Sequence, residues 1–236
     1  MANTKNIAVL VPALDKIERR TQAALGELVN RGYVVRTLSG CSQVDLARSS
    51  MASEALADGF TETFWIDSDT DFDPDDLERI RAHGKPFVAG LYVKKGRPES
   101  AAKFKADLQA VTFGVGGGLL EMEYVGFGFV YVKKEVYEAV ARKFELPGCT
   151  GGYDPEKSIT PYFLPMVIQE GERFCYLSED YSFSHRARIA GFPPWADTTV
   201  RLGHISDAYI FGWEDLAPRE VYSSLKLEHE QPKAAP

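Results

Sequence analysis

The 236-residue sequence carries 27 lysines and arginines against 34 aspartates and glutamates, a formal net charge of −7. That acidic balance excludes wholesale coating of nucleic acid, which needs a basic face. With 44% hydrophobic and 26% charged residues the composition is that of a globular chain, and no apolar run approaches the roughly 20 residues that span a bilayer.

In chain order, "MANTKNIAVLVPAL" has a short apolar stretch ended by Pro12 and no small-residue cleavage site after a longer one. It reads as a first strand rather than a secretion signal, so a cytoplasmic protein without a membrane partner is expected. "KIERRTQAALGELVNRG" has helical spacing, "YVVRTL" is a strand, "SQVDLARSSMASEALAD" a second amphipathic helix, "ETFWID" a third strand, "PDDLERIRAHG" a short helix and "PFVAGLY" a fourth strand. Strand and helix alternating in this way predict an α/β fold: a mostly parallel, Rossmann-like central sheet with helices on both faces. Ligands of such sheets bind beyond the carboxyl ends of the strands.

From about residue 100 the pattern shifts to glycine-interrupted alternation in "AVTFGVGGGLLEMEYVGFGFVYVKK", which predicts a smaller antiparallel portion, followed by the helix "KEVYEAVARKF". Residues 146–166, with four prolines and three glycines, read as a long surface loop. "RFCYL" is then a strand, "SEDYSFSHRARIAG" a helix and "VRLGHI" another strand. The organisation expected is one domain over 1–227, made of a first half (1–92) and a second half (93–227), with a disordered polar tail over 228–236. Cys41, Cys149 and Cys175 are odd in number and widely spaced, which fits neither a disulfide framework nor a thiolate metal site. Nothing calls for an obligate protein partner.

The chemistry concentrates in "FWIDSDTDFDPDDLERI" (64–80), with six aspartates between 67 and 76. Asp73, Asp75 and Asp76 surround Pro74 at a helix start, where carboxylates complement the helix dipole. Asp67, Asp69 and Asp71 alternate at a strand end, and on extended backbone such side chains share one side and converge on a hard cation. A calcium loop of the EF-hand kind fails, because its turn glycine is replaced by Phe72 and Pro74 interrupts it. Mg²⁺ or Mn²⁺ held by one or two carboxylates together with substrate phosphates is the better reading.

Here "WIDSDTDF" resembles the Asp-X-Asp motif of GT-A-fold, nucleotide-sugar-dependent glycosyltransferases, with Asp67, Ser68 and Asp69 at the end of a central strand. Four further stretches follow the family's order over roughly residues 6–206. "IAVLVPAL" resembles the donor-binding first strand, which implies Pro12 and Ala13 beside the nucleotide base. "SQVDLARSS" resembles the segment whose arginine, here Arg48, reaches the diphosphate; the family usually has Asn next, and Ser49 departs from it. "VGFGFVYVKKEVYEAV" resembles the acceptor-side strand, with Gly126 and Gly128 letting backbone approach sugar. "LSEDYSFSHRARIAGF" resembles the Glu-Asp motif that carries the catalytic base, here Asp180 or, second, Glu179, which a helix N-terminus would keep ionised. In "RLGHI", His204 resembles the late histidine that joins Asp69, with Asp67, at the metal.

The resemblance implies a hexosyltransferase that takes a nucleotide-sugar donor, UDP-sugar first, with Mn²⁺ or Mg²⁺ as cofactor. The compact length and "AGLYVKKG" are similar to small bacteriophage glycosyltransferases, which implies a hydroxymethylated base in phage DNA as acceptor. The basic run 92–105, with Lys94 and Lys95, would then contact acceptor phosphates, and Trp195 would stack on a ring. A polysaccharide or protein acceptor, a metal-dependent nucleotidyltransferase, and a non-catalytic sugar- or calcium-binding module are the alternatives. The nucleotidyltransferase lacks its glycine-rich, basic phosphate loop after the first strand.

Overall fold

The computed structural model describes residues 4, 6–150, 156–207, 209–216 and 224–228. β1 (Ile7–Ala13), buried at every position, is flanked by β2 (Val34–Ser39) and β3 (Glu62–Ile66), both parallel to it. The connections are α1 (Arg19–Asn30) and α2 (Val44–Ala57), as the helical spacing predicts. After β3 come the two-residue β4 (Thr70–Asp71), α3 (Asp75–Ala82) and β5 (Phe87–Gly90).

The second half adds β6 (Ala102–Phe104), β7 (Ala110–Gly114), β8 (Leu119–Val125) and β9 (Phe129–Lys133), then α4 (Lys134–Lys143). A hairpin of β10 (Met166–Glu170) and β11 (Arg173–Leu177) leads into α5 (Glu179–Ile189). β12 (Trp195–Asp197), β13 (Gly203–Ile205), β14 (Ile210–Phe211) and β15 (Ser224–Glu228) complete the described elements.

The main sheet has eight strands in the order β2-β1-β3-β9-β5-β12-β8-β6. Its pairings correct the sequence expectation. β9 is antiparallel to both β3 and β5, and β8 is antiparallel to both β12 and β6. β2, β1, β3, β5, β12 and β6 therefore point one way and β9 and β8 the other, so the sheet is mixed. Of the antiparallel strands predicted for a separate portion, β9 is woven into the middle of this sheet and β8 lies next to its edge, while β7 pairs with β15 in a separate two-stranded sheet. A two-residue apolar alternation cannot distinguish the two placements, since "FVYVK" buries both faces of β9 at either one.

One apolar layer lies between the sheet and α2, α4 and α5, and includes Trp65, Phe127, Phe163 and Phe183; a second beneath α1 and α3 includes Phe64, Phe72 and Phe129. Two sequence expectations change here. The stretch 146–166 is not simply a surface loop. Ile159, Tyr162 and Phe163 are buried, Phe163 stacks on Phe183 with ring centroids 4.7 Å apart, and buried Ser49 Oγ accepts the Phe163 N–H at 3.2 Å. The departure from Asn at position 49 thus serves packing. β15 pairs with β7 as far as Glu228 opposite Ala110, so the expected tail cannot begin at 228; residues 229–236 lie outside the described ones. Among the described residues no helix is long and apolar enough to cross a membrane.

Candidate functional site

The turn from β3 to β4 carries Asp67, Ser68 and Asp69 at the carboxyl edge of the sheet. Reversed β9 holds it from beneath: the Gly128 carbonyl accepts the Asp67 N–H at 3.1 Å and the Thr70 hydroxyl at 3.0 Å. The Ser68 carbonyl accepts the Glu18 N–H, and the Asp69 carbonyl the Ile205 N–H, each at 2.8 Å. The Ile205 bond ties β13 to the turn, and β13 pairs with β4 so that His204 lies opposite Thr70. Pro12 and Ala13 end β1 on the same edge, buried.

The structure brings Asp69 and His204 together. His204 Nδ1–H donates to the Val93 carbonyl at 2.8 Å, which fixes the tautomer and turns Nε2 towards Asp69 Oδ2, 3.5 Å away. Lys95 Nζ donates to the same oxygen at 2.5 Å. Burial alone would push the Asp69 carboxyl up, but His204 and Lys95 outweigh it and hold it at about 2. Among the described residues no group of three or more His, Cys, Asp or Glu could hold a metal. The donor set is therefore a carboxylate oxygen and an imidazole nitrogen with its other nitrogen anchored, which fits Mn²⁺ or Mg²⁺ with water or substrate oxygens as the remaining ligands. Asp67 is tied to Arg48 instead, its Oδ1 accepting from Arg48 Nη2 at 2.8 Å.

Arg48 differs from the expectation of a diphosphate contact. It is 3% exposed, its guanidinium lies over the rings of Trp65 and Phe127, and its Nε, with no hydrogen-bond partner, faces Glu179 Oε1 at 3.7 Å. It is a buried cation that joins Asp67 at one end to the start of α5 at the other. There, Asp180 Oδ1 accepts the Ser178 hydroxyl and the Tyr181 N–H. Both hydrogen bonds fall on one oxygen, which leaves Oδ2 for another donor. Against the lowering expected from the helix N-terminus, burial first, then in Glu179 the charge of Asp180, pushes both carboxyls up, with Arg48 pulling the other way.

Gly126 and Gly128 do allow a close approach, but by this chain's own Tyr92 rather than by an outside ring. A Cβ on Gly126 would meet Tyr92 Oη at 2.6 Å, and one on Gly128 the Tyr92 ring at 2.7 Å. Sequence reasoning missed Tyr92. It meets His204 edge to face at 5.2 Å and accepts the Gly128 N–H at 3.2 Å; burial and the charges of Asp67 and Asp180 push its phenol well up. Its one signal was a tyrosine closing the predicted fourth strand, at the edge where ligands of α/β sheets bind.

Lys94 is paired with Glu99 at 3.0 Å. Trp195 lies at the opposite edge. It is the first residue of β12, which runs parallel to β5, and its ring packs under Lys85 Nζ at 4.2 Å, so its surroundings give it no stacking surface at the carboxylates. Asp71, left without a role by the sequence, pairs with Arg20 at 3.0 Å. That pair lines an open cleft of about 850 Å³ with Arg201 and Glu214. Strand alternation puts Asp71 and Gly203 on the face of β4 and β13 opposite Thr70 and His204. The cleft's arginines are already matched by Asp71 and Glu214.

No protein-family model and no curated protein matches the chain. Among solved structures, it is similar to a glycosyltransferase involved in the glycosylation of the major capsid of PBCV-1, with 16% identity, 56% of this chain and 61% of that one covered, and a TM-score of 0.31. It is also similar to the inositol-1-phosphate CTP transferase from T. maritima, with 11% identity, 92% and 94% covered, and a TM-score of 0.39. Both likenesses are distant. With A197 from STIV the identity is 15%, the cover 92% of this chain and 98% of that one, and the TM-score 0.51, a likeness of overall fold along nearly the whole of both chains.

Proposed function

We propose that the chain is a GT-A-like, metal-dependent glycosyltransferase that moves a sugar from a nucleoside-diphosphate sugar, UDP-sugar first, to an acceptor hydroxyl. The observation that carries this reading is the pairing of Asp69 with a tautomer-locked His204 on one side of Arg48 and of the carboxyls of Glu179 and Asp180 on the other. Asp69 and His204 would hold Mn²⁺ or Mg²⁺, which when bound neutralises charge on a leaving diphosphate. Pro12 and Ala13 line the nucleotide end of β1.

Asp180 takes the acceptor hydroxyl's proton on Oδ2 as the hydroxyl oxygen bonds to the anomeric carbon; the bond from that carbon to the diphosphate breaks, and its electron pair leaves with the phosphate. A carboxyl pushed up from its ordinary value suits a base better than one at that value, because proton transfer is most effective near the operating pH. Glu179, facing Arg48, positions the pair. A hydroxymethylated base in phage DNA is one candidate acceptor, although Lys103 and Lys105 on and after β6 are paired with Glu170 and Glu121; polysaccharide and protein hydroxyls are the others.

The test is a thermal-shift panel of UDP-, GDP- and other nucleotide sugars with Mn²⁺. A ligand at 100 times its dissociation constant stabilises by about 2.7 kcal/mol, so the matching donor should stand out. A flat panel, with and without Mn²⁺, would overturn the reading. Transfer of labelled sugar to hydroxymethylated DNA, but not to unmodified DNA, decides the acceptor.

A further inference from the structure

The segment between β5 and β6 is a short hairpin. Val93 bridges Ser100, the Lys94 N–H donates to the Glu99 carbonyl at 2.8 Å, and the Ala101 N–H donates to the Tyr92 carbonyl at 2.9 Å. Its turn runs Lys94-Lys95-Gly96-Arg97, with Gly96 at φ +69. A positive φ at the third turn position is where glycine is needed, so the hairpin is a built turn with Lys95 at its tip. Its root is buried at Val93, 2% exposed, while the residues around the tip are exposed. The hairpin therefore touches both members of the candidate metal pair: its root carbonyl anchors His204 Nδ1, and its tip ammonium sits on Asp69 Oδ2.

We propose that Lys95 is a resident cation of the donor site: it neutralises Asp69 until a divalent ion binds there, and then binds the diphosphate of the donor. The inference rests on the reading of Asp69 and His204 as the metal pair, and it moves Lys95 from the acceptor side to the donor side. Three observations carry it. Lys95 and His204 approach the same carboxylate oxygen, so an ion coordinated by Asp69 and His204 would meet the ammonium at contact distance and repel it. The neighbouring Lys94 is held by Glu99, so Lys95 is the turn lysine aimed into the site. An ammonium on a four-carbon stem at a hairpin tip can swing over several ångströms and still donate to a phosphate oxygen.

The experiment titrates wild type, Lys95→Met, Lys95→Arg and Asp69→Asn with Mn²⁺ alone, following free Mn²⁺ by its electron paramagnetic resonance signal, and then adds inorganic pyrophosphate to the Mn²⁺-loaded proteins in a calorimeter. Removing the competing ammonium should tighten Mn²⁺ binding by about two- to fivefold in Lys95→Met, the range for a part-exposed ion pair. Lys95→Arg should stay at the wild-type value, and pyrophosphate binding should weaken about tenfold in Lys95→Met, as for one lost charge-assisted hydrogen bond. Unchanged or weaker Mn²⁺ binding in Lys95→Met, or undiminished pyrophosphate binding, overturns the Lys95 inference alone, provided Asp69→Asn abolishes Mn²⁺ binding. Mn²⁺ binding that is absent from wild type, or indifferent to Asp69→Asn, overturns the metal-site reading and the inference with it. Matched thermal unfolding midpoints for the Lys95 variants exclude misfolding as the cause.

Discussion

Acids stand at both ends of the buried Arg48, and the surroundings of Asp69, beside one end, and of Glu179 and Asp180, at the other, drive them in opposite directions. At the β3–β4 turn, Asp69 is partly buried yet held at about 2, because an imidazole and an ammonium converge on one of its oxygens. At the start of α5, Glu179 and Asp180 are pushed up, although both stand at a helix N-terminus and feel Arg48. One cation shared between two carboxyls thus does not offset their burial. A cation in hydrogen-bond contact does. One region is thereby made a binder of positive charge and the other an acceptor of protons.

Arg48→Met breaks the comparison at its hinge. It leaves Asp67, Glu179 and Asp180 around an uncompensated buried site, and unfolding in urea should show a loss of about 3–5 kcal/mol. Next, Asp180→Asn should cut transfer by about 10²–10⁴-fold while Mn²⁺-dependent donor binding is retained. The same variant should raise the unfolding midpoint at neutral pH by about 2–4 °C, because the amide oxygen can still accept from Ser178 and Tyr181 while the costly charge is gone. A residue that served only as a helix cap would lower it instead, which separates the two roles.

Asp69→Asn sharpens the other pole. Transfer should fall by about a hundredfold, in the range for losing one electrostatic contact at a reacting centre. Its pH signature has a defined sign. A carboxyl depressed from 3.8 to about 2 contributes stability that is complete above pH 3.8 and is lost as pH falls through 2. Acid unfolding of the variant should therefore be shallower across that window. The raised Glu179 and Asp180 have the opposite sign, their contribution being present at low pH and lost as pH rises through their folded values. Trp195→Leu, the smallest effect, should leave donor binding and transfer as they are and cost only packing stability, since its ring packs under Lys85 at the far edge; a transfer defect would return it to the site.

The sequence made the donor edge legible because short-range signals coincide there: three apolar strands with helical spacing between them, and alternating aspartates just past the third. β1, β3 and the Asp67–Asp69 turn follow from that pattern. What stayed hidden depended on contacts distant along the chain. That Arg48 is buried between Asp67 and Glu179 follows from the folding of 159–163 over α2, where Ser49 and Ser53 accept the N–H groups of Phe163 and Thr160. That Gly126 and Gly128 accommodate Tyr92 could not be read locally, because a glycine's spacing shows that something approaches but not what. The direction of β9 was hidden for the same reason.

That reversed strand has a consequence for how the chain acquires its structure. Since β3 (62–66) is completed by β9 (129–133), and the Gly128 carbonyl holds the Asp67–Thr70 turn, the carboxylate turn cannot take its final form until a further sixty residues have left the ribosome. Residues 1–92 are thus no independent folding unit: cut there, β3 would keep an unpaired edge of "ETFWI", an apolar, β-prone segment open to pairing with other chains. The two halves named from the sequence differ in their chemistry, but they mature as one.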